Sequence, residues 1–115
     1  MLEPTLQTIS NNKLFFAGQI TGVEGYVEST SSGLIAGLNM GRILNGMEPI
    51  IFPISTAHGS LCAYITDRTI KNFQPMNINF GIFEQIKGKH KSKKEKNMTY
   101  SNKALQDIEK LIKIL

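Results

Sequence analysis

Blocks of apolar and polar residues along the chain predict a short strand, a glycine-rich crossing and a long helix. Residues 1–13 are mostly polar and are expected to be extended, and Leu14–Ala17 form an apolar run typical of a buried strand. Three glycines follow within Gly18–Gly25. Apolar positions then recur at helical spacing over Tyr26–Asn45, and Gly46 provides the left-handed residue that commonly ends a helix.

Three more glycines recur every four residues inside the predicted long helix, at Gly33, Gly37 and Gly41. Each costs about 1 kcal/mol relative to alanine in a helix interior. Residues four apart share one helix face, so we expect another backbone to pack closely there. The polar Asn39 and Arg42 argue against helix pairing inside a membrane.

The middle of the chain predicts a short helix followed by an extended segment. Ser55 or Thr56 can cap a helix that contains Leu61, Cys62, Tyr64 and Ile65. The stretch FQPMNINFGIF alternates apolar and polar residues with a period of two, which indicates extended backbone.

The end of the chain predicts an amphipathic helix that Ser101 or Asn102 can cap. Its apolar face consists of Ala104, Leu105, Ile108, Leu111, Ile112 and Leu115. An isolated helix of this length is marginal in water, so this face needs a partner.

The net charge of +4 comes from one short segment, 87–96, which carries +5 and leaves −1 on the remainder. Its six lysines are Lys87, Lys89, Lys91, Lys93, Lys94 and Lys96. The run contains no aromatic residue on which bases can stack, which favours a solvated, flexible segment over a specific RNA contact. Non-specific attraction to RNA phosphates is the alternative.

Other features point to a cytoplasmic protein without a membrane span. The single cysteine fits a reducing compartment, the start has no secretory signal pattern, and no apolar stretch of about 18 residues exists.

The candidate chemistry concentrates at the crossing, because a helix N-terminus favours an anion or a polar ligand. A purely structural turn is an equal alternative, since the glycines do not follow the dinucleotide pattern GxGxxG. We expect Cys62 to be a buried, inert thiol, His58 to lack an assignable catalytic partner, and His90 to be solvated. One cysteine and two distant histidines make no zinc site.

Three long motifs occur over roughly residues 2–86: LFFAGQITGVEGYVESTSSGLIAGLNMGRIL, EPIIFPISTAHGSL and FQPMNINFGI. In this order they resemble the C-terminal part of the bacterial folate- and FAD-dependent tRNA (uracil-5-)-methyltransferase family. A flavoenzyme family that modifies the tRNA wobble uridine shares only FFAGQ and GY. A sister branch that methylates ribosomal RNA uracil fits the motifs equally.

The resemblance implies an FAD enzyme that takes a one-carbon unit from 5,10-methylenetetrahydrofolate and methylates uracil C5 in the tRNA T-loop, with NAD(P)H reducing the flavin. It places the crossing against the flavin, with Tyr26 beside the isoalloxazine ring. The implied lining residues are Gly18, Gln19, Ile20, Thr21, Gly22, Val23, Glu24, Gly25 and Tyr26.

The resemblance also implies an incomplete unit, because the family's GxGxxG segment and catalytic cysteines do not occur in this sequence. The expected fold is α/β: residues 1–86 as the C-terminal part of a Rossmann-like FAD-binding domain, and residues 87–115 as a lysine-rich linker and helical tail. We expect activity only with the N-terminal portion of the enzyme. The alternatives are a non-catalytic remnant or interaction module that binds RNA or protein, and a pseudogene product that never folds.

Overall fold

A computed structural model describes residues 1–115 and shows three α-helices joined by irregular segments, without a β-sheet. Helix α1 spans Tyr26–Leu44, α2 spans Ala57–Thr66 and α3 spans Lys93–Ile112. Single turns of 3₁₀ helix lie at Gln19–Thr21 and Phe80–Ile82. The chain is therefore mostly helical, and the predicted Rossmann-like α/β architecture is not confirmed. None of the helices combines the length and apolar character needed to span a bilayer.

The predicted strand at Leu14–Ala17 is wrong. Phe15 makes one isolated antiparallel bridge to Gln7, and Leu14 and Phe16 are exposed. The pairing stops because Leu6, in the partner segment, has a left-handed φ of 69°, which extended strands do not accommodate. Residues 5–8 are buried, so the polar start of the chain is part of the core.

Helix α1 agrees with the predicted helix to within one residue, and Gly46 follows it with a left-handed φ of 73°. The expected close packing on its glycine face is wrong within this chain. A Cβ atom added at Gly33, Gly37 or Gly41 would meet nothing within 4 Å. The glycine face of α1 is therefore open.

Helix α2 begins at the predicted cap, because the hydroxyl of Thr56 accepts a hydrogen bond from the N–H of Gly59 at 3.0 Å. At Gly59, the backbone of α2 also lies close to the backbone of the preceding segment. A Cβ atom there would overlap the carbonyl oxygens of Phe52 and Pro53.

Helix α3 begins about two turns before the predicted caps, Ser101 and Asn102. Its actual cap is Ser92, whose hydroxyl accepts from the N–H of Glu95 at 3.1 Å, while the Glu95 carboxylate accepts from the N–H of Lys91 at 2.9 Å. These two hydrogen bonds fix the helix start at Lys93, so half of the lysine run lies within the helix.

The apolar face of α3 divides between core and solvent. Leu111 belongs to the core and Ile108 packs against it, whereas Leu105, Ile112 and Leu115 are exposed. The predicted division of the chain at residue 86 stays a prediction.

The extended segment predicted from FQPMNINFGIF is found up to Asn79, after which Phe80–Ile82 form the second 3₁₀ turn. Met76 makes a single parallel bridge to Val23, and this bridge joins the segment to the glycine-rich crossing.

The core gathers residues from all three helices and from the segments between them. Its members are Leu6, Ile35, Ala36, Ile50, Phe52, Cys62 and Leu111. Asn39 of α1 is fully buried beside this cluster. Its amide donates to the carbonyls of Thr5 at 3.1 Å and Ile50 at 2.9 Å, and accepts from the Ile50 N–H at 2.7 Å.

Replacing Asn39 with alanine should lower the free energy of unfolding by about 2–4 kcal/mol, because buried backbone groups at Thr5 and Ile50 lose their partner. Urea unfolding measures the change. The control is Asn45→Ala, which removes an exposed bond to the Gly41 carbonyl and should cost less than about 1 kcal/mol. Equal losses in the two variants would contradict the role given to Asn39.

Gly59→Ala should destabilise the chain by about 1–3 kcal/mol, because the added methyl group overlaps two backbone oxygens. Gly33→Ala should stabilise it by up to about 1 kcal/mol, since the methyl group enters open space in a helix interior. Thermal unfolding of both variants tests this opposite sign.

Candidate functional site

The candidate site is the crossing from residue 18 to the start of α1. Gly18, Gly22 and Gly25 have φ values of 82°, 104° and 102°, which L side chains rarely adopt. The 3₁₀ turn Gln19–Thr21 lies between the first two glycines. Backbone conformation alone therefore accounts for the glycine at each of these positions.

Side chains of this chain lie against two of the three glycines. A Cβ atom at Gly22 would overlap the ring of Phe73, and one at Gly25 would overlap the carboxylate of Glu28. A Cβ atom at Gly18 would meet nothing within 4 Å. Only Gly18 is therefore open to a group from outside the chain.

The segment 76–78 holds the crossing in place through backbone hydrogen bonds. The N–H of Met76 donates to the Gly22 carbonyl, and the N–H of Glu24 donates to the Met76 carbonyl, both at 3.0 Å. The Asn77 amide donates to the Glu24 carbonyl at 2.9 Å. Because these bonds lie on both sides of Val23, the crossing has a defined shape without a ligand.

Glu28 fixes the start of α1 to the same segment. Its carboxylate accepts from the N–H of Ile78 at 3.1 Å. Hydrogen bonds from its own backbone N–H and then from that of Ile78 lower the pKa of Glu28 below 4.5. The carboxylate therefore has a structural role at the start of α1.

Several backbone N–H groups of the crossing have no hydrogen-bond partner in the chain. They belong to Gln19 and Ile20 at the 3₁₀ turn, and to Gly25, Tyr26 and Val27 at the start of α1. The Gly18 N–H, in contrast, donates to the buried hydroxyl of Ser32 at 2.7 Å. The free donors and the positive end of the α1 dipole favour an oxygen acceptor or an anion at this surface.

The predicted lining residues divide into exposed and buried groups. Ile20 and Tyr26 are 77% and 94% exposed, and Val27, which follows the predicted set, is 78% exposed. Gln19, Glu24 and Gly25 are also exposed, and Gly18 and Thr21 are half-buried. Gly22 and Val23 are buried, so they can contribute only backbone atoms. The free donors thus lie beside unusually exposed apolar side chains.

The other candidate side chains lie outside the crossing. Burial raises the pKa of the Cys62 thiol to about 12, as expected for an inert cysteine. His58, which had no predicted partner, forms a hydrogen bond through Nδ1 with the hydroxyl of Ser31. His90 is half-buried, and its Nε2 is buried without a partner, so the predicted solvation is wrong.

Sequence relatives agree with the motif resemblance. Residues 1–48 match the family described as glucose inhibited division protein A. A methylenetetrahydrofolate–tRNA-(uracil-5-)-methyltransferase TrmFO of Pelotomaculum thermopropionicum is 56% identical over 110 residues, covering 96% of this chain and 25% of the relative. Proteins of the same name from Bacillus cytotoxicus and Bacillus mycoides are 52% and 51% identical over 114 residues, covering 99% of the chain and 26% of each relative.

Over nearly its whole length, the chain is thus similar to a segment of these methyltransferases. It spans about a quarter of the length of the curated relatives it matches. The predicted recognition is confirmed, while the role of each lining residue stays a prediction.

Acidification tests the role of Glu28 at the crossing. The pKa of Glu28 in the folded chain lies below 4.5. Its carboxylate therefore stabilises the fold above pH 4.5, and this stabilisation is lost as the pH falls through the pKa of the folded state. Glu28→Gln should therefore make the decline of the unfolding midpoint shallower below pH 4.5. Glu109→Gln is the matched control, since that carboxylate forms no hydrogen bond or ion pair, and it should leave the pH profile unchanged.

Proposed function

We propose that this chain supplies the flavin-contacting C-terminal part of an FAD-dependent RNA (uracil-5-)-methyltransferase that uses 5,10-methylenetetrahydrofolate and NAD(P)H. The observation that carries the proposal is the crossing, where free N–H groups lie beside Ile20, Tyr26 and Val27. Such a surface suits a ring that is apolar on its faces and rich in acceptor atoms at its edge. The isoalloxazine of FAD has this character.

The crossing fits the cofactor in its donor chemistry. Free N–H groups at Gln19 and Ile20 would bond acceptor atoms of FAD, and the start of α1 would favour the negative charge of the reduced ring. The open space at Gly18 lets a ligand approach the backbone closely. Bound FAD would supply the electrons that the methyl transfer requires.

The rest of the family protein is the partner that would complete the site. The chain exposes 7705 Å² of surface, whereas a folded monomer of its mass exposes about 6,300 Å². The excess of about 1,400 Å² exceeds the roughly 800 Å² that one partner buries in a standard interface. The open glycine face of α1 would admit a closely packed backbone from that remainder, and the chain by itself should be inactive.

The RNA substrate would approach the start of α3. Lys93, Lys94 and Lys96 lie in its first turns, where positive charge opposes the helix dipole. No lysine of the run 87–96 forms an ion pair. We propose tRNA as the substrate, with ribosomal RNA as the alternative. The second candidate function is a non-catalytic module that binds RNA, and the unpaired positive charge of the lysine run favours it.

Coexpression tests the proposal. The chain is produced together with the portion of the Pelotomaculum thermopropionicum relative that it does not cover. The two parts should copurify with visible flavin absorption, because each alone has an incomplete site. Tyr26→Ala should weaken flavin binding about two- to tenfold, since it removes an aromatic ring at the cofactor.

The controls separate flavin contact from assembly. Leu44 lies at the far end of α1 and is 77% exposed, so Leu44→Ala should leave flavin binding unchanged. Gly37→Ala should weaken association of the two parts without destabilising the chain alone. Stable association without flavin, under conditions in which the full-length relative retains it, would refute the proposal.

A further inference from the structure

A continuous groove runs across the three helices from the start of α1 to the middle of α3. Three neighbouring cavities of about 360, 210 and 530 Å³ form it. The first two share Val27, Ser31 and His58 as lining residues, and the last two share Ala57 and Ile78. The groove begins at the end of the crossing, where Tyr26 and Val27 line its first cavity.

His58 lines the first two cavities of this groove and has a ring that can form hydrogen bonds. The Ser31 hydroxyl forms a hydrogen bond with Nδ1 of His58, and the tautomer of the ring decides which of the two atoms donates. Burial lowers the pKa of His58, which keeps the imidazole neutral. Nε2 is neither bonded nor buried, so it is free to form a hydrogen bond with a ligand.

An aromatic cluster forms the far end of the groove. Phe80 lines the 530 Å³ cavity together with Leu105 of α3. The ring of Phe80 stacks on that of Tyr100 at a centroid distance of 5.0 Å and an angle of 14°, and Phe83 meets both rings at their edges. The lysine run itself contains no aromatic residue, but Tyr100 follows Lys96 by one helical turn and joins this cluster.

The lysines continue directly from this cluster. Lys96 Nζ lies 6.0 Å from the centroid of the Tyr100 ring. Lys94 precedes Ser101, a lining residue of the large cavity, by two helical turns and shares its face, about 10 Å away along the axis. An apolar cavity with an aromatic wall therefore opens beside unpaired positive charge.

We propose that this groove binds an unpaired segment of an RNA strand. One base enters the cavity beside Phe80, another base forms a hydrogen bond with His58 Nε2, and the phosphates lie along the first turns of α3. The inference rests on the proposed contact with RNA and adds where the strand lies and that it is single-stranded.

The observations favour RNA over a polypeptide as the occupant. The 530 Å³ cavity is large enough for a planar base, and every base has a face that stacks on an aromatic ring and edge atoms that accept a hydrogen bond. The six lysines match the charge of a phosphate chain. A base within a duplex cannot reach such a cavity, so unpaired nucleotides are required.

Binding of the 115-residue chain to a fluorescent single-stranded RNA dodecamer and to its duplex tests the proposal. Phe80→Leu should weaken single-strand binding about five- to hundredfold and leave duplex binding unchanged, because it keeps apolar volume but removes the stacking face. Lys94→Gln should weaken both and reduce the slope of log affinity against log salt by about 0.7 for the single strand. Lys110→Gln is the charge-matched control at the far end of α3 and should change neither.

A second variant guards against misfolding of the aromatic cluster. Ser101→Phe fills the mouth of the cavity without removing a packed ring, and it should weaken single-strand binding as Phe80→Leu does. Circular dichroism confirms that each variant folds. Equal loss for both RNA forms, or single-strand binding unchanged in both variants, would overturn the proposal.

The same variants distinguish this inference from the proposed enzyme. Flavin retention by the coexpressed parts should be unaffected by Phe80→Leu, since Phe80 lies outside the crossing. If Phe80→Leu instead weakens assembly of the two parts and spares RNA binding, the groove is a protein interface and the inference is wrong. If RNA binding follows the prediction while flavin is never retained, the proposed enzymatic function is wrong and the binding of RNA in the groove is supported.

Discussion

The buried amide of Asn39 is the interaction on which the arrangement of this chain depends. It bonds backbone groups of Thr5 and Ile50, segments that come before and after α1. Those groups lie in irregular backbone and have no ladder to satisfy them, so the amide replaces the sheet that the chain lacks. With both segments fixed, Leu6 and Ile50 pack against α1, and α2 and α3 close the core. The crossing leads directly into the start of α1, so the position of this helix also fixes the position of the crossing.

The glycines of the crossing have two separable explanations. Left-handed backbone and close neighbours, Phe73 and the Glu28 carboxylate, account for Gly22 and Gly25 within the chain itself. Gly18 has the same backbone requirement but open space around it. The free N–H groups and the exposed Ile20 and Tyr26 therefore favour a cofactor here more than the number of glycines does.

The sequence predicts those elements whose signals are local. Gly46 and the Thr56 cap determine where α1 ends and α2 begins, and both act within a few residues. The strand at Leu14–Ala17 failed because a strand depends on a partner, and Leu6 ends the pairing. The contact of Ser31 with His58 joins two helices and leaves no spacing pattern. The predicted start of α3 was too late because the lysines indicated a solvated segment. Ser92 and Glu95 nevertheless have the S-x-x-E spacing that is typical of a helix start, and Ser92 caps α3.

Helix α1 presents three faces, and their geometry allows the two proposed partners to bind together. At about 100° per residue, Ile35 and Asn39 point towards the core, and the glycine face lies on the opposite side. Val27 and Ser31 lie between them and line the groove. A backbone packed on the glycines would form a wall beside the groove without filling it. Assembly with the rest of the family protein would then deepen the RNA path next to the crossing, which places an unpaired nucleotide close to the proposed flavin surface.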